Sequence, residues 1–158
     1  MAETGATLMV VINGIDESKE YLGKHLGYSS WHKVTQAQIN QFADVTGDHQ
    51  WIHVDTEAAR FGPYGTTIAH GYLVLSLIPR LLPDILSINH AGIAVNYGAN
   101  RIRFPAPVPS NSNVRLGATI AKLEEFQGGI QLTVEATIEV ESAPKPSLAA
   151  QLIYRYYQ

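Results

Sequence analysis

A chain of 158 residues with 46% hydrophobic and 16% charged residues is long enough to bury a substantial core and too short for a second domain. A formal charge of -3 with no run of like charges argues against a nucleic-acid binder, and the absence of cysteine excludes disulfide scaffolds, thiolate zinc sites and cysteine nucleophiles together. The opening MAETGATLMVVINGIDESKE carries acidic residues and an apolar run, Leu8 to Ile12, too short for a signal segment or a membrane span, so one soluble, cytoplasmic domain over residues 1–158 is expected.

In chain order, the first clear element follows Thr35. With Gln38 it makes a capping box ahead of Ile39, Phe42 and Ala43, which predicts a short helix from about Gln36 to Asp44 that stops near Gly47. TEAARFG supplies another helical turn from about Thr56. HGYLVLSLIPRLLPDI is apolar on nearly every side, the pattern of a helix buried all round, with Pro79 arguing for an end or a kink inside it.

The second half changes period. Ile93 to Phe104 reads as a strand ended by the prolines of FPAPVP, and Val114, Leu116, Ala118 and Ile120 alternate with polar residues as a strand with one wet face does. EEFQGG, Glu124 to Gly129, offers paired glycines for a hairpin into Gln131 to Glu141, where Leu132, Val134, Ala136, Ile138 and Val140 keep period two. SAPKPS is a proline-marked loop before a last strand, Leu148 to Tyr157. One buried helix with about five or six antiparallel strands predicts an α+β fold, a sheet wrapped around a central helix.

Chemistry concentrates in TGDHQWIHVD, Thr46 to Asp55. Gly47 breaks regular structure just before Asp48, so Asp48 and His53 can project from a loop-to-helix junction toward one point and divide proton donation and acceptance, as adding water to a carbon–carbon double bond requires. The plain alternative is that Asp48 caps the next turn and His53 is a satisfied polar residue. A metal site from His49 and His53 with Asp48 or Asp55 is the weakest of the three readings, because the glutamate of H-E-x-x-H is absent. Farther on, Gly71 of TTIAHGYL stands at the start of the buried helix, where a free backbone N–H can hold a thioester carbonyl and stabilise an enolate, or where a glycine simply permits close packing.

These residues together resemble a known family. FADVTGDHQWIHVDTEAA is similar to the hydratase motif of MaoC-like (R)-specific enoyl-CoA hydratases, IAHGYLVLSL to that family's second landmark, and VNYGANRIRFPAPVP to the subgroup that includes nodulation protein N. The resemblance covers roughly Tyr28 to the end. It implies a hot dog fold, usually paired into dimers, with no metal or redox cofactor. It further implies that Asp48 and His53 are the catalytic pair, that Gly71 gives the oxyanion-hole amide, and that Ile68, Ala69 and His70 line the acyl-CoA thioester by backbone contact. The family's usual Asn-Pro inside the motif is Gln50-Trp51 here.

On the Ile93 to Phe104 strand, Arg101 and Arg103 share one face, either to meet coenzyme A phosphates or as solvated arginines. Asn96, Tyr97 and Asn100 either line the site or flank a bulge at Gly98. Ser76 either faces the pocket or bonds its own helix backbone, and Tyr154, Tyr156 and Tyr157 read as core and interface aromatics. The expected function is reversible hydration of a trans-2-enoyl-CoA by a homodimer. An acyl-CoA thioesterase and a non-catalytic acyl-CoA-binding subunit are the rivals, the second opposed by intact Asp48, His53 and Gly71.

Overall fold

The computed structural model describes residues 8–157; Glu3, one of the acidic residues of the opening stretch, and residue 158 lie outside the described residues. The elements run β1 (Val10–Asn13), α1 (Ile15–Lys19), β2 (His25–Tyr28), β3 (His32–Val34), α2 (Gln36–Thr46), α3 (Trp51–Val54), α4 (Thr56–Arg60), α5 (Gly71–Ser76), α6 (Ile78–Leu81), β4 (Leu86–Asn89), β5 (Ile93–Arg103), β6 (Ser112–Phe126), β7 (Gly129–Val140) and β8 (Leu148–Tyr157). Six strands make one antiparallel sheet in the order β2-β6-β7-β8-β5, with β3 sharing the same edge of β6 as β2.

The period-two pattern decides how this sheet closes on its core. Leu116 stands opposite Ile138 and Ile138 opposite Leu148; one step along, Ala118, Ala136 and Ala150 align, then Ile120, Val134 and Leu152. All nine are buried, so the register turns three strands into one apolar face. That face packs on Val74, Leu77, Ile78, Leu81 and Ile85 from the helical segment it encloses. This is the hot dog arrangement.

The helix inside is segmented rather than long and continuous. α5 ends at Ser76, α6 holds one further turn, and Leu82–Asp84 tightens into a 3-10 turn. The physical reason lies in Pro79 and Pro83: each lacks the N–H that would bond the carbonyl four residues back, and its ring presses on that carbonyl. Nor is the segment buried all round as its composition predicts: Leu73, Val74, Leu77, Ile78, Leu81, Leu82 and Ile85 face the core, while Tyr72, Ser76, Pro79, Arg80, Pro83 and Asp84 are exposed, so the sheet holds it by one face.

The capping box at Thr35 and Gln38 forms in both directions, and Gly47, at φ 78, closes α2 with a left-handed residue. The strand expected over Val114 to Ile120 runs on to Phe126, past a register shift between Ile120 and Lys122 that bends it. β1 pairs with β4 as a small parallel sheet, with the Val10 N–H donating to the Ile85 carbonyl at 2.8 Å. Among the described residues no helix is long and apolar enough to cross a membrane.

Gly129 carries the tightest demand in the sheet. A Cβ there would lie 2.0 Å from the Tyr156 carbonyl oxygen, whereas one at Gly98 would meet nothing within 4 Å. Gly129→Ala is therefore expected to cost about 1–3 kcal/mol, the usual range for overpacking. Gly98→Ala should change little. Urea unfolding of both variants checks this, and an unchanged midpoint for Gly129→Ala would contradict the register described here.

Candidate active site

α2 ends at Gly47, and the chain then crosses to α3, with Gln50 as its N-cap and Trp51 as its first residue. Trp51 occupies the first helical position, a place that favours proline. Its ring packs on Gly62, where an added Cβ would sit 2.9 Å from Cη2, and this contact fastens α3 to the turn after α4. His53 lies within α3 and is 7% exposed; Asp48, on the preceding loop, is exposed.

Two backbone carbonyls set the orientation of the buried imidazoles. His53 donates through Nδ1 to the Ile68 carbonyl at 2.7 Å, which leaves Nε2 as the nitrogen free for chemistry. His70, 3% exposed, donates through Nε2 to the Asp48 carbonyl at 2.9 Å. The rings of His53 and His70 stack with centroids 3.8 Å apart and an interplanar angle of 24°. One side-chain atom from each of Asp48, His53 and His70 falls within 4.8 Å of the others.

Such a cluster raises the question of a metal, and its geometry fits one poorly. Imidazole lone pairs lie in the ring plane, so two nearly parallel stacked rings cannot both aim at one ion. His49, the other candidate ligand, bonds the Asp44 carboxylate at 2.9 Å instead. That bond leads in holding its imidazole above the usual range.

A cavity of about 440 Å³ opens beside His53, lined by Ile68, Ala69, Gly71, Val74 and Phe104 among others. The Gly71 amide donates to no acceptor among the described residues, while the Ile68 and Ala69 amides are taken by the Ile52 and Val108 carbonyls. Ile68 and Ala69 thus line the cavity with their own N–H groups already bonded, and Gly71 is the free donor. The approach at Gly71 is close as well: a Cβ would sit 3.1 Å from the Phe104 ring, which would have to give by a few tenths of an ångström. Phe104, Tyr64 and Ser147 also line this cavity without a signal in the sequence: FPAPVP marks only a strand end, and nothing in it announces an aromatic folding back over Gly71.

The β5 candidates lie apart from this cavity within one chain. Asn96 lines a second space of about 400 Å³ with Pro79, Leu82 and Tyr156. Tyr97 carries the Arg155 guanidinium 3.5 Å over its ring, Asn100 bonds Gln151, Arg101 pairs with Glu135 at 3.5 Å, and Arg103 donates to the Ile102 carbonyl. Ser76 bonds the Tyr72 carbonyl, the ordinary helix-serine contact. Burial pushes the Tyr154 and Tyr156 phenols up to about 12, which removes them as proton carriers near neutral pH.

Residues 17–143 match the family model described as the MaoC like domain. The chain is similar to 3-hydroxyacyl-thioester dehydratase Z of Mycobacterium tuberculosis, 49% identical over 135 residues that cover 85% of this chain and 89% of that protein. It is also similar to nodulation protein N of Rhizobium leguminosarum bv. viciae, 42% identical over 136 residues, 84% of each chain. Among solved structures, the (R)-hydratase of A. caviae involved in PHA biosynthesis superposes with a TM-score of 0.64 at 18% identity, covering 84% of this chain and 94% of that one, a likeness of fold.

The stacked imidazoles generate a direct expectation for metals. Calorimetric titration of the purified protein with zinc should reveal no one-to-one site that His53→Ala removes. A stoichiometric site lost in that variant would revive the metal reading.

Proposed function

This chain belongs to the MaoC-like dehydratase family, and on that premise we propose that it is an (R)-specific enoyl-CoA hydratase. It adds water reversibly and syn across a trans-2-enoyl-CoA to give the (R)-3-hydroxyacyl-CoA. The observation that carries the reading is that His53 and the free Gly71 amide line one cavity while the Asp48 carboxylate falls within 4.8 Å of the His53 ring nitrogen.

In the proposed reaction the thioester oxygen accepts a hydrogen bond from the Gly71 N–H at the start of α5. One member of the Asp48–His53 pair takes a proton from water as the new C–O bond forms at the β-carbon. The π electrons of the double bond move onto the thioester as an enolate, which the Gly71 amide stabilises. The enolate then collapses, and its electron pair forms the C–H bond at the α-carbon with a proton returned by the pair. Protons balance within the pair, so the step needs no metal and no redox cofactor.

The substrate is taken to be an acyl-CoA thioester, with neither nucleic acid nor membrane as partner, and the protein to act in the cytoplasm as one domain. Among the described residues β5 bonds only β8 and leaves an edge of eleven residues whose Ile93, Val95 and Tyr97 are exposed. An edge of this length invites pairing with a second copy. A homodimer is accordingly proposed, in which Asn96, Tyr97 and Arg103 of one chain complete the pocket built on the other chain's Asp48 and His53.

Incubation with a short trans-2-enoyl-CoA tests the activity. Loss of the conjugated-thioester absorbance without free CoA is expected, and release of CoA would select thioester hydrolysis. Asp48→Asn and His53→Gln should each retain the fold and lose on the order of 10²–10⁴ in kcat, the usual worth of general acid–base catalysis. A variant keeping more than about a tenth of the rate, ~1.4 kcal/mol of barrier, would contradict the assignment.

The dimer has its own test. Sedimentation equilibrium at micromolar concentration should give twice the chain mass. Co-expressed Asp48→Asn and Arg103→Ala chains, each inactive alone, should regain some activity. A fully active monomer, or mixed dimers with no recovery, would overturn the shared site.

A further inference from the structure

We infer that the His70 side chain is a positioning residue that sets the gap between Asp48 and His53, a role that rests on those two being the acting pair. Its two contacts reach the two groups separately. Nε2–H holds the backbone of Asp48 itself, and the ring face backs the His53 imidazole at 3.8 Å. The same residue immediately precedes Gly71, so one position ties the loop after α2, the α3 imidazole and the free amide at the start of α5. Phe42 of α2 closes on the His70 ring at 4.9 Å and 50°, which limits its rotation.

The chemistry of the ring argues that this is more than packing. With Nε2 donating to the Asp48 carbonyl, Nδ1 is left buried and without a partner. A buried polar atom with no partner is a destabilising feature that a phenyl ring in the same space would not carry. Histidine at this position therefore brings one thing that an apolar ring of similar size lacks, the N–H that reaches Asp48. Exposed Asp48 needs such an anchor, because its own loop offers only long contacts: its N–H to Thr46 Oγ1 and its Oδ1 to the Gln50 amide, both at 3.4 Å.

Three variants separate the parts. His70→Phe keeps a ring and loses the donor, His70→Gln keeps a donor that can reach the Nε2 position and loses the ring, and His70→Ala loses both. With a short trans-2-enoyl-CoA, His70→Ala should lose about 100-fold in kcat, the scale of a misplacement near 1 Å, with KM changed much less. His70→Phe should melt near the wild-type temperature yet fall at least about tenfold in kcat, and His70→Gln should recover part of the loss. A His70→Phe enzyme with wild-type kcat overturns the inference. Nitrogen-15 NMR of the imidazoles gives a readout independent of turnover, whether or not the variants fold. The wild type should show His70 protonated at Nε2 and His53 at Nδ1, and the His53 resonances should shift in His70→Phe. Finding His70 protonated at Nδ1, or His53 unmoved in a folded His70→Phe, overturns it as well. A wild-type protein inert toward enoyl-CoA would sink the hydratase reading alone, and the NMR would still decide this one.

Discussion

The bond from His53 Nδ1 to the Ile68 carbonyl is the constraint on which the site depends. A buried imidazole must place its N–H on an acceptor, and at 2.7 Å this one fixes both the tautomer and the direction of Nε2. The reverse contact runs beside it, since the Ile68 amide donates to the Ile52 carbonyl at 3.0 Å, so α3 and the segment before α5 are laced in both directions. Ala69 extends the lacing to Val108, ahead of β6. A loop motif is thereby framed by the edge of the sheet. Without that frame nothing would hold His53 close to Asp48, and the proposed chemistry would lose the pair that works with the Gly71 amide.

Much of this was legible in the residues. Period two in Gln131 to Glu141 set the inner face of β7, and the register with β6 and β8 followed once the glycine hairpin fixed Phe126 opposite Gly129. The capping box at Thr35 was a local signal and formed as such. D-x4-H was legible because its spacing spans one loop and one turn. The parallel pairing of Val10–Asn13 with Leu86–Asn89 was not, because a pair so distant in sequence leaves no periodicity to read. Nor was the side-chain role of His70: sequence places it beside Gly71, but only the folded chain brings it against Asp48 and His53. Phe104 escaped for the same reason.

The helix shows where composition alone misleads. The run from Gly71 to Ile85, apolar in composition, buries one face only and has the hydrogen bonding of three short helices. Pro79 and Pro83 dictate the hydrogen bonding, and exposed Tyr72, Ser76, Arg80 and Asp84 mark the face that the sheet leaves uncovered. The part that the proposed chemistry uses is the first turn, whose amide stays free whatever happens downstream. At the motif itself, Trp51 in place of proline keeps the first helical position and gains an anchor on Gly62, so rigidity at α3 comes from packing rather than from a ring-locked backbone.

The central claim is that Asp48 and His53 deliver water and a proton to the same face of an enoyl thioester. Hydration of a short trans-2-enoyl-CoA in deuterium oxide, followed by configurational analysis of the product, tests it most directly. The product should be the (R)-3-hydroxyacyl-CoA with one deuterium at the α-carbon, on the face that received the oxygen. An (S) product, or deuterium on the opposite face, would contradict it.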